Sequence, residues 1–226
     1  MEPGAILAPF LPASGLTALQ LEQVRAYLDL LLKWNEKTNL TSVRQPEEIL
    51  RRHFGESFFL AAALAEVNSP NAGPRASAVQ FIDVGSGAGF PGIPLKIYAP
   101  HLSGTLIESQ NKKATFLKEV IRRLHLPEMT VFGGRAEEFA HSATNQAGSV
   151  TLRAVERFET ALPVAASLVA PGGHLALLIG SSRLEAVRKL LPSFAWQPPQ
   201  TLPLSDARVL LVGKLGASPP MRTACL

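Results

Sequence analysis

Phe81-Ile-Asp-Val-Gly-Ser-Gly-Ala-Gly89 constrains this chain more than any other segment. An apolar run ends in an acid, three glycines follow at alternate positions, and Phe90 and Pro91 come next, which reads as a strand turning sharply into a helix. Glycines so spaced permit a tight turn and let backbone N–H groups approach a ligand with no Cβ in the way. Downstream, short apolar runs alternate with helical patterns, the signature of parallel strands joined by crossover helices. Strands are expected at Val79–Val84, Gly104–Ile107, Met129–Phe132, Val150–Leu152, His174–Ile179 and Arg208–Gly213, with helices beginning near Pro91, Asn111, Glu156 and Arg183. The expected class is α/β: a Rossmann-like, mostly parallel twisted sheet with helices on both faces.

Upstream the pattern is helical. Leu16, Leu19, Val24, Leu28, Leu31 and Leu32 recur at three- and four-residue steps through Trp34, and Ile49, Phe54, Phe58 and Leu64 mark a second helix from Pro46 to Asn68. Ser69–Pro74 breaks the pattern with turn-forming residues. The chain therefore divides into a loose lead-in (1–15), an N-terminal helical extension (16–74), a ligand-binding sheet domain (75–215) and a flexible tail (216–226). With 226 residues, 46% of them hydrophobic, it can bury its own core, and a monomer is expected. Its longest apolar runs, such as Leu60–Ala65, are far shorter than the roughly 18 to 20 residues of a membrane span. Glu2 and the lack of an early Lys or Arg argue against a secretory signal, so a cytoplasmic location is expected. The single cysteine, Cys225, allows no internal disulfide, and no metal site is expected. A net charge of +4 mildly favours an anionic partner such as nucleic acid.

The glycine turn alone does not choose a cofactor, since Gly87-Ala-Gly89-Phe-Pro-Gly92 also satisfies the dinucleotide pattern. Charge sign is more informative. Asp83, just before the first glycine, suits the cationic amino-acid end of S-adenosylmethionine and would repel a pyrophosphate. Glu108 ends the next strand, 23 residues after Gly85, where an acid can take both hydroxyls of an adenosine ribose. Glu137, after the third strand, can hydrogen-bond the adenine amino group, or simply sit in the first turn of a helix. Arg153, after the fourth strand, can meet a carboxylate or phosphate, or pair with Glu156. The chain lacks both the Asn-Pro-Pro-aromatic motif of amino-group methylation and a core cysteine for pyrimidine C5 attack. An acceptor needing little activation fits better, and guanine N7, whose lone pair is already free, is one.

Four stretches carry a family resemblance: Lys33-Trp-Asn-Glu-Lys-Thr-Asn-Leu-Thr-Ser42, Arg52-His53 with Glu56-Ser57, Phe81–Pro94, and Gly134-Arg-Ala-Glu-Glu-Phe139. From about Leu16 to Leu215 the chain resembles the RsmG (GidB) family of bacterial small-subunit rRNA guanine-N7 methyltransferases. The resemblance implies cofactor contacts from Gly85, Phe90, Ala136, Glu137 and Arg153, to which the residue reading adds Asp83, Gly87, Gly89 and Glu108. It implies N7 methylation of a guanosine in 16S rRNA, with the rRNA or the small ribosomal subunit as partner. Arg51, Arg52, His53, Lys112, Lys113 and Arg153 are the candidate RNA contacts. Glu56 and Glu108 stand where aspartates are usual, and Ile179 where the family often has lysine. Trp34 to Ser42 reads equally as helix-end packing or as part of a substrate gate. A methyltransferase with another substrate and a nicotinamide oxidoreductase are the alternative readings.

Overall fold

The computed structural model describes residues 2–67, 80–141, 146–153 and 158–217. Eight strands form a sheet in the order β3-β2-β1-β4-β5-β8-β6, with β7 pairing β8. β1 (Gln80–Val84), β2 (Ser103–Ile107), β3 (Met129–Phe132), β4 (Ala147–Arg153) and β5 (Val169–Gly180) run parallel, and β8 (Arg208–Leu215) returns antiparallel to β5. The chain leaves β1 for β2 on one side and returns to β4 on the other. Such a switch point opens a crevice at the carboxyl ends of the strands.

Both faces of the sheet are covered, which explains the near-continuous apolar strands. Along β5, Leu175, Leu177 and Ile179 pack on one face and Ala176 and Leu178 on the other, the two-residue period of a pleat. One core holds α2 (Ala18–Thr38), α4 (Glu56–Val67), α5 (Gly92–Tyr98) and α6 (Asn111–Arg123) against the sheet, through residues such as Leu31, Phe58, Ile93 and Phe116. The other is built on α8 (Phe158–Ser167) and α9 (Leu184–Leu190), through Leu162 and Val187. The expected mostly parallel sheet, its two helical layers and an N-terminal helix are all present.

Several boundaries differ from the sequence reading for identifiable reasons. α2 starts after Thr17, whose hydroxyl accepts from the Gln20 N–H while Gln20 caps the Thr17 N–H in return, and it ends at Thr38, capped by Asn39, left-handed at φ 46°. The expected loose lead-in contains α1 (Pro3–Leu7) and a 3-10 turn (Ala8–Phe10), with Leu7 and Phe10 buried. Phe10 fills the space over Gly55, where a Cβ would lie 2.6 Å from its ring. The second helix is divided into α3 (Pro46–Ile49), a π-helical stretch (Leu50–Gly55) and α4. β6 (Phe194–Trp196) and β7 (Gln200–Thr201) escaped the sequence reading because two or three residues show no alternation; both exist only by pairing with β8. Val79, Asn68, the Ser69–Pro74 break, Glu156 and most of the expected tail lie outside the described residues.

Candidate functional site

The glycine turn follows β1 as expected. Gly85 and Gly87 take positive φ values of 67° and 58°, and Ser86 N–H donates to the Ile107 carbonyl at 3.0 Å, tying the turn to the end of β2. Glu108 lies beneath: Oε2 accepts from Gly87 N–H at 2.8 Å and Oε1 from Gln110 N–H at 2.7 Å. Each carboxylate oxygen keeps a further lone pair.

Two cavities meet at this turn, sharing Gly85, Glu108 and Ser109. The larger, about 320 Å³, is lined by Leu40, Thr41, His53, Gly87, Phe90, Lys113 and Arg153 among others. The second, about 290 Å³, is bounded by Gly134, Ala136 and Glu137, at the start of α7 (Ala136–Ala140), and by Thr160 and Ala161 of α8. An elongated ligand with a nucleoside at one end and an amino acid at the other fits a trough of this kind, with an acid at its midpoint and nothing but open space above the Cβ position of Gly87 nearer than 3.9 Å. A still larger cavity, about 480 Å³, lies towards the amino ends of the strands, lined by Gln80, Ser103 and Glu128, and contains none of the expected site residues.

Asp83 and Gly89 are placed otherwise than the sequence suggested. Asp83 is fully buried under the turn: Oδ1 accepts from the Thr151 hydroxyl at 2.7 Å and Oδ2 from Gly92 N–H at 3.2 Å. It lines neither cavity and instead fixes the turn and the start of α5. Burial pushes its pKa up to about 6, against the opposing hydrogen bonds from Thr151, Ser86 and Gly92. Gly89, at φ 95°, is a packing glycine, since a Cβ there would lie 2.5 Å from the Tyr27 hydroxyl. The apparent dinucleotide pattern of Gly87 to Gly92 is therefore a packing pattern over its second half.

Arg153 organises the far wall. Its guanidinium donates to the Arg52 carbonyl at 2.6 Å and to His53 Nδ1 at 3.0 Å, and it pairs with Glu56 at 3.5 Å. Glu56, 3% exposed at its side chain, also pairs with Arg208, so one carboxylate serves two cations. Burial nevertheless raises the pKa of Glu56, the arginines opposing it, and lowers that of Arg153. Glu156, the partner considered from sequence, lies outside the described residues. His53 is held neutral, its pKa drawn down to about 3 by burial and then by the Arg153 charge.

Among the candidate RNA contacts, Lys113 and His53 line the cavity and Lys112 is exposed beside Lys113. Arg51 and Arg52 form surface ion pairs with Glu47 and Glu48 at 2.6 and 3.0 Å. Sequence reasoning did not single out Ser109, Gln110 or Arg208. Ser109 and Gln110 directly follow Glu108, whereas Arg208 meets Glu56 only because tertiary packing brings β8 beside α4, and nothing local in the sequence reports that.

A family model described as rRNA small subunit methyltransferase G, GidB, matches residues 20–201. The chain belongs to the GidB family. Two relatives, each called ribosomal RNA small subunit methyltransferase G, agree over most of their length. That of Alkaliphilus metalliredigens is 36% identical over 211 residues, 88% of this chain and 84% of the relative; that of Bacillus subtilis is 34% identical over 215 residues, 90% and 86%. A ribosomal protein L11 methylase from Lactobacillus delbrueckii subsp. bulgaricus shares the fold, with a TM-score of 0.54 at 14% identity over 72% of this chain and 79% of that one. In this GidB protein Ile179 is buried and lines a cavity of about 280 Å³ with Arg153, Arg183 and Arg208. Positive charge reaches that cavity from three other positions.

Proposed function

We propose that the protein transfers a methyl group from S-adenosylmethionine to N7 of a guanosine in 16S rRNA, acting as a cytoplasmic monomer. The observation that carries this reading is the acid-floored glycine turn between two cavities in a chain of the GidB family. A chain that buries two cores by itself needs no second copy for stability, and among the described residues no helix is long and apolar enough to cross a membrane.

The bound cofactor supplies an electrophilic methyl on a sulfonium. Glu108 holds the ribose hydroxyls with its remaining lone pairs, Glu137 and Ala136 bound the adenine, and Gly85 and Gly87 let the backbone lie close. Phe90 and Arg153 close the end of the trough where the acceptor enters. The acceptor N7 would bring its own free lone pair to the methyl group, so the task of the surrounding residues is to hold donor and purine in line. No proton leaves N7, so no general base is needed, and His53, neutral and hydrogen-bonded on both ring nitrogens, is not required as one. Rate enhancement comes from positioning. Lys112 and Lys113, which make no ion pair among the described residues, meet the phosphate backbone, and the acceptor base reaches the methyl after extrusion from its stack.

The test is cleavage mapping of N7-methylguanosine in rRNA from cells with and without this protein. One guanosine of 16S rRNA should lose its cleavage signal when the protein is absent; identical maps would refute the assignment.

A further inference from the structure

Hydrogen bonds from Asn35, Val43 and His53 converge on Thr41, in the Lys33–Ser42 stretch. The buried Asn35 side chain grips Thr41 by both backbone groups, donating from Nδ2 to its carbonyl at 3.0 Å and accepting from its N–H at 2.9 Å. Thr41 is thereby fixed in the wall of the larger cavity, beside His53, Phe90 and Arg153.

Donor and acceptor roles along this wall follow from chemistry. A guanidinium only donates, so His53 Nδ1, 3.0 Å from Arg153, must accept. The neutral ring then carries its proton on Nε2, which donates to Thr41 Oγ1 at 2.7 Å. Val43 N–H donates to the same oxygen at 3.1 Å. Both lone pairs of Thr41 Oγ1 are now taken. Among the described residues its own proton has no acceptor, so the hydroxyl presents a donor whose polarity is fixed.

We propose that the Thr41 hydroxyl donates to the exocyclic oxygen O6 of the target purine and so selects guanine over adenine. The proposal rests on the guanine-N7 reading above. N7 must keep its lone pair free to attack, so a donor at that edge of the base has to seat on the neighbouring acceptor, O6. Adenine presents an amino group there. A free hydroxyl would rotate and accept from it; this one cannot, because His53 and Val43 occupy its lone pairs. Arg153, His53 and Asn35 act as positioning residues, setting the polarity and place of the hydroxyl that touches the base.

The test uses small-subunit particles reconstituted with rRNA carrying either guanosine or 2-aminopurine riboside, which keeps N7 and lacks O6, at the mapped position. Wild-type enzyme should methylate the 2-aminopurine particle about 10- to 100-fold more slowly, the range of one well-made base contact. Thr41→Val should slow the guanosine reaction by a similar factor and leave the 2-aminopurine rate nearly unchanged, so that the ratio collapses, and Thr41→Ser should restore it. A Thr41→Val enzyme that keeps the wild-type ratio overturns the proposal. So does a loss of about tenfold or more in its affinity for S-adenosylhomocysteine by calorimetry, which would assign the hydroxyl to the cofactor. Should Thr41→Val fail to fold, His53→Phe frees a lone pair on Thr41; adenosine-substituted particles should then inhibit about tenfold more strongly than they inhibit wild type, and unchanged inhibition overturns the proposal. If wild-type enzyme leaves guanosine N7 unmethylated, the underlying reading fails instead.

Discussion

Tyr27 of α2 donates its buried hydroxyl to the Ala88 carbonyl and stacks on Phe90, ring centroids 5.2 Å apart and planes 13° from parallel. The first long helix is thus bonded directly to the glycine turn. Tyr27→Phe should lower stability by about 1–3 kcal/mol, the cost of leaving a buried carbonyl unpaired. Gly89→Ala should cost at least as much, because a Cβ at φ 95° would meet Tyr27. Urea denaturation measures both, and wild-type stability for either would contradict the contact.

Glu108 is expected to carry much of the cofactor affinity. Glu108→Ala removes the proposed ribose acceptor and the partner of two backbone N–H groups, so calorimetry should show S-adenosylmethionine binding about 10- to 100-fold weaker, or roughly 1.4–2.7 kcal/mol. An unchanged dissociation constant would remove Glu108 from the site.

Glu56 compensates two arginines. Glu56→Gln leaves Arg153 and Arg208 close together without their counter-ion, and a loss of about 3 kcal/mol is expected, at the lower end for a broken buried pair because Arg208 is 29% exposed. Glu56→Asp keeps the charge and should lose less. Equal losses for the two variants would show that reach, not charge, matters there.

Stability between pH 4 and 6 should reflect two opposing titrations. Asp83 has its pKa raised to about 6 by burial, so its contribution is full below its ordinary value of 3.8 and is lost as pH rises through 6. His53, drawn down to about 3, contributes fully above 6.5, and that contribution is lost as pH falls towards 3. Asp83→Asn removes only the first. Its stability should therefore fall more steeply than wild type on acidification from pH 6 to pH 4, by up to about 1.4 kcal/mol per unit. Parallel curves for the two proteins would contradict the burial of an ionisable Asp83.

Phe10 tests the role of the amino-terminal segment. Buried against Gly55, it should cost about 3–5 kcal/mol when replaced by alanine. A loosely attached lead-in would give no change.

Much of this architecture was readable from local pattern, because strand and helix periods are properties of consecutive residues. The glycine turn after β1, the acid after β2, the mostly parallel character of the sheet and the family were all accessible that way. Contacts that depend on residues distant in the chain were not. Sequence could not say that Asp83 would be sealed beneath Thr151 and Gly92, because that depends on β4 lying beside β1. It could not separate Gly85 and Gly87, which line the cavity, from Gly89, whose neighbour Tyr27 lies 62 positions earlier in the chain. Nor could it assign a polarity to Thr41. That needed Arg153, from the end of β4, to meet His53 across 100 positions of sequence, since hydrogen-bond direction is decided by which groups tertiary packing brings together.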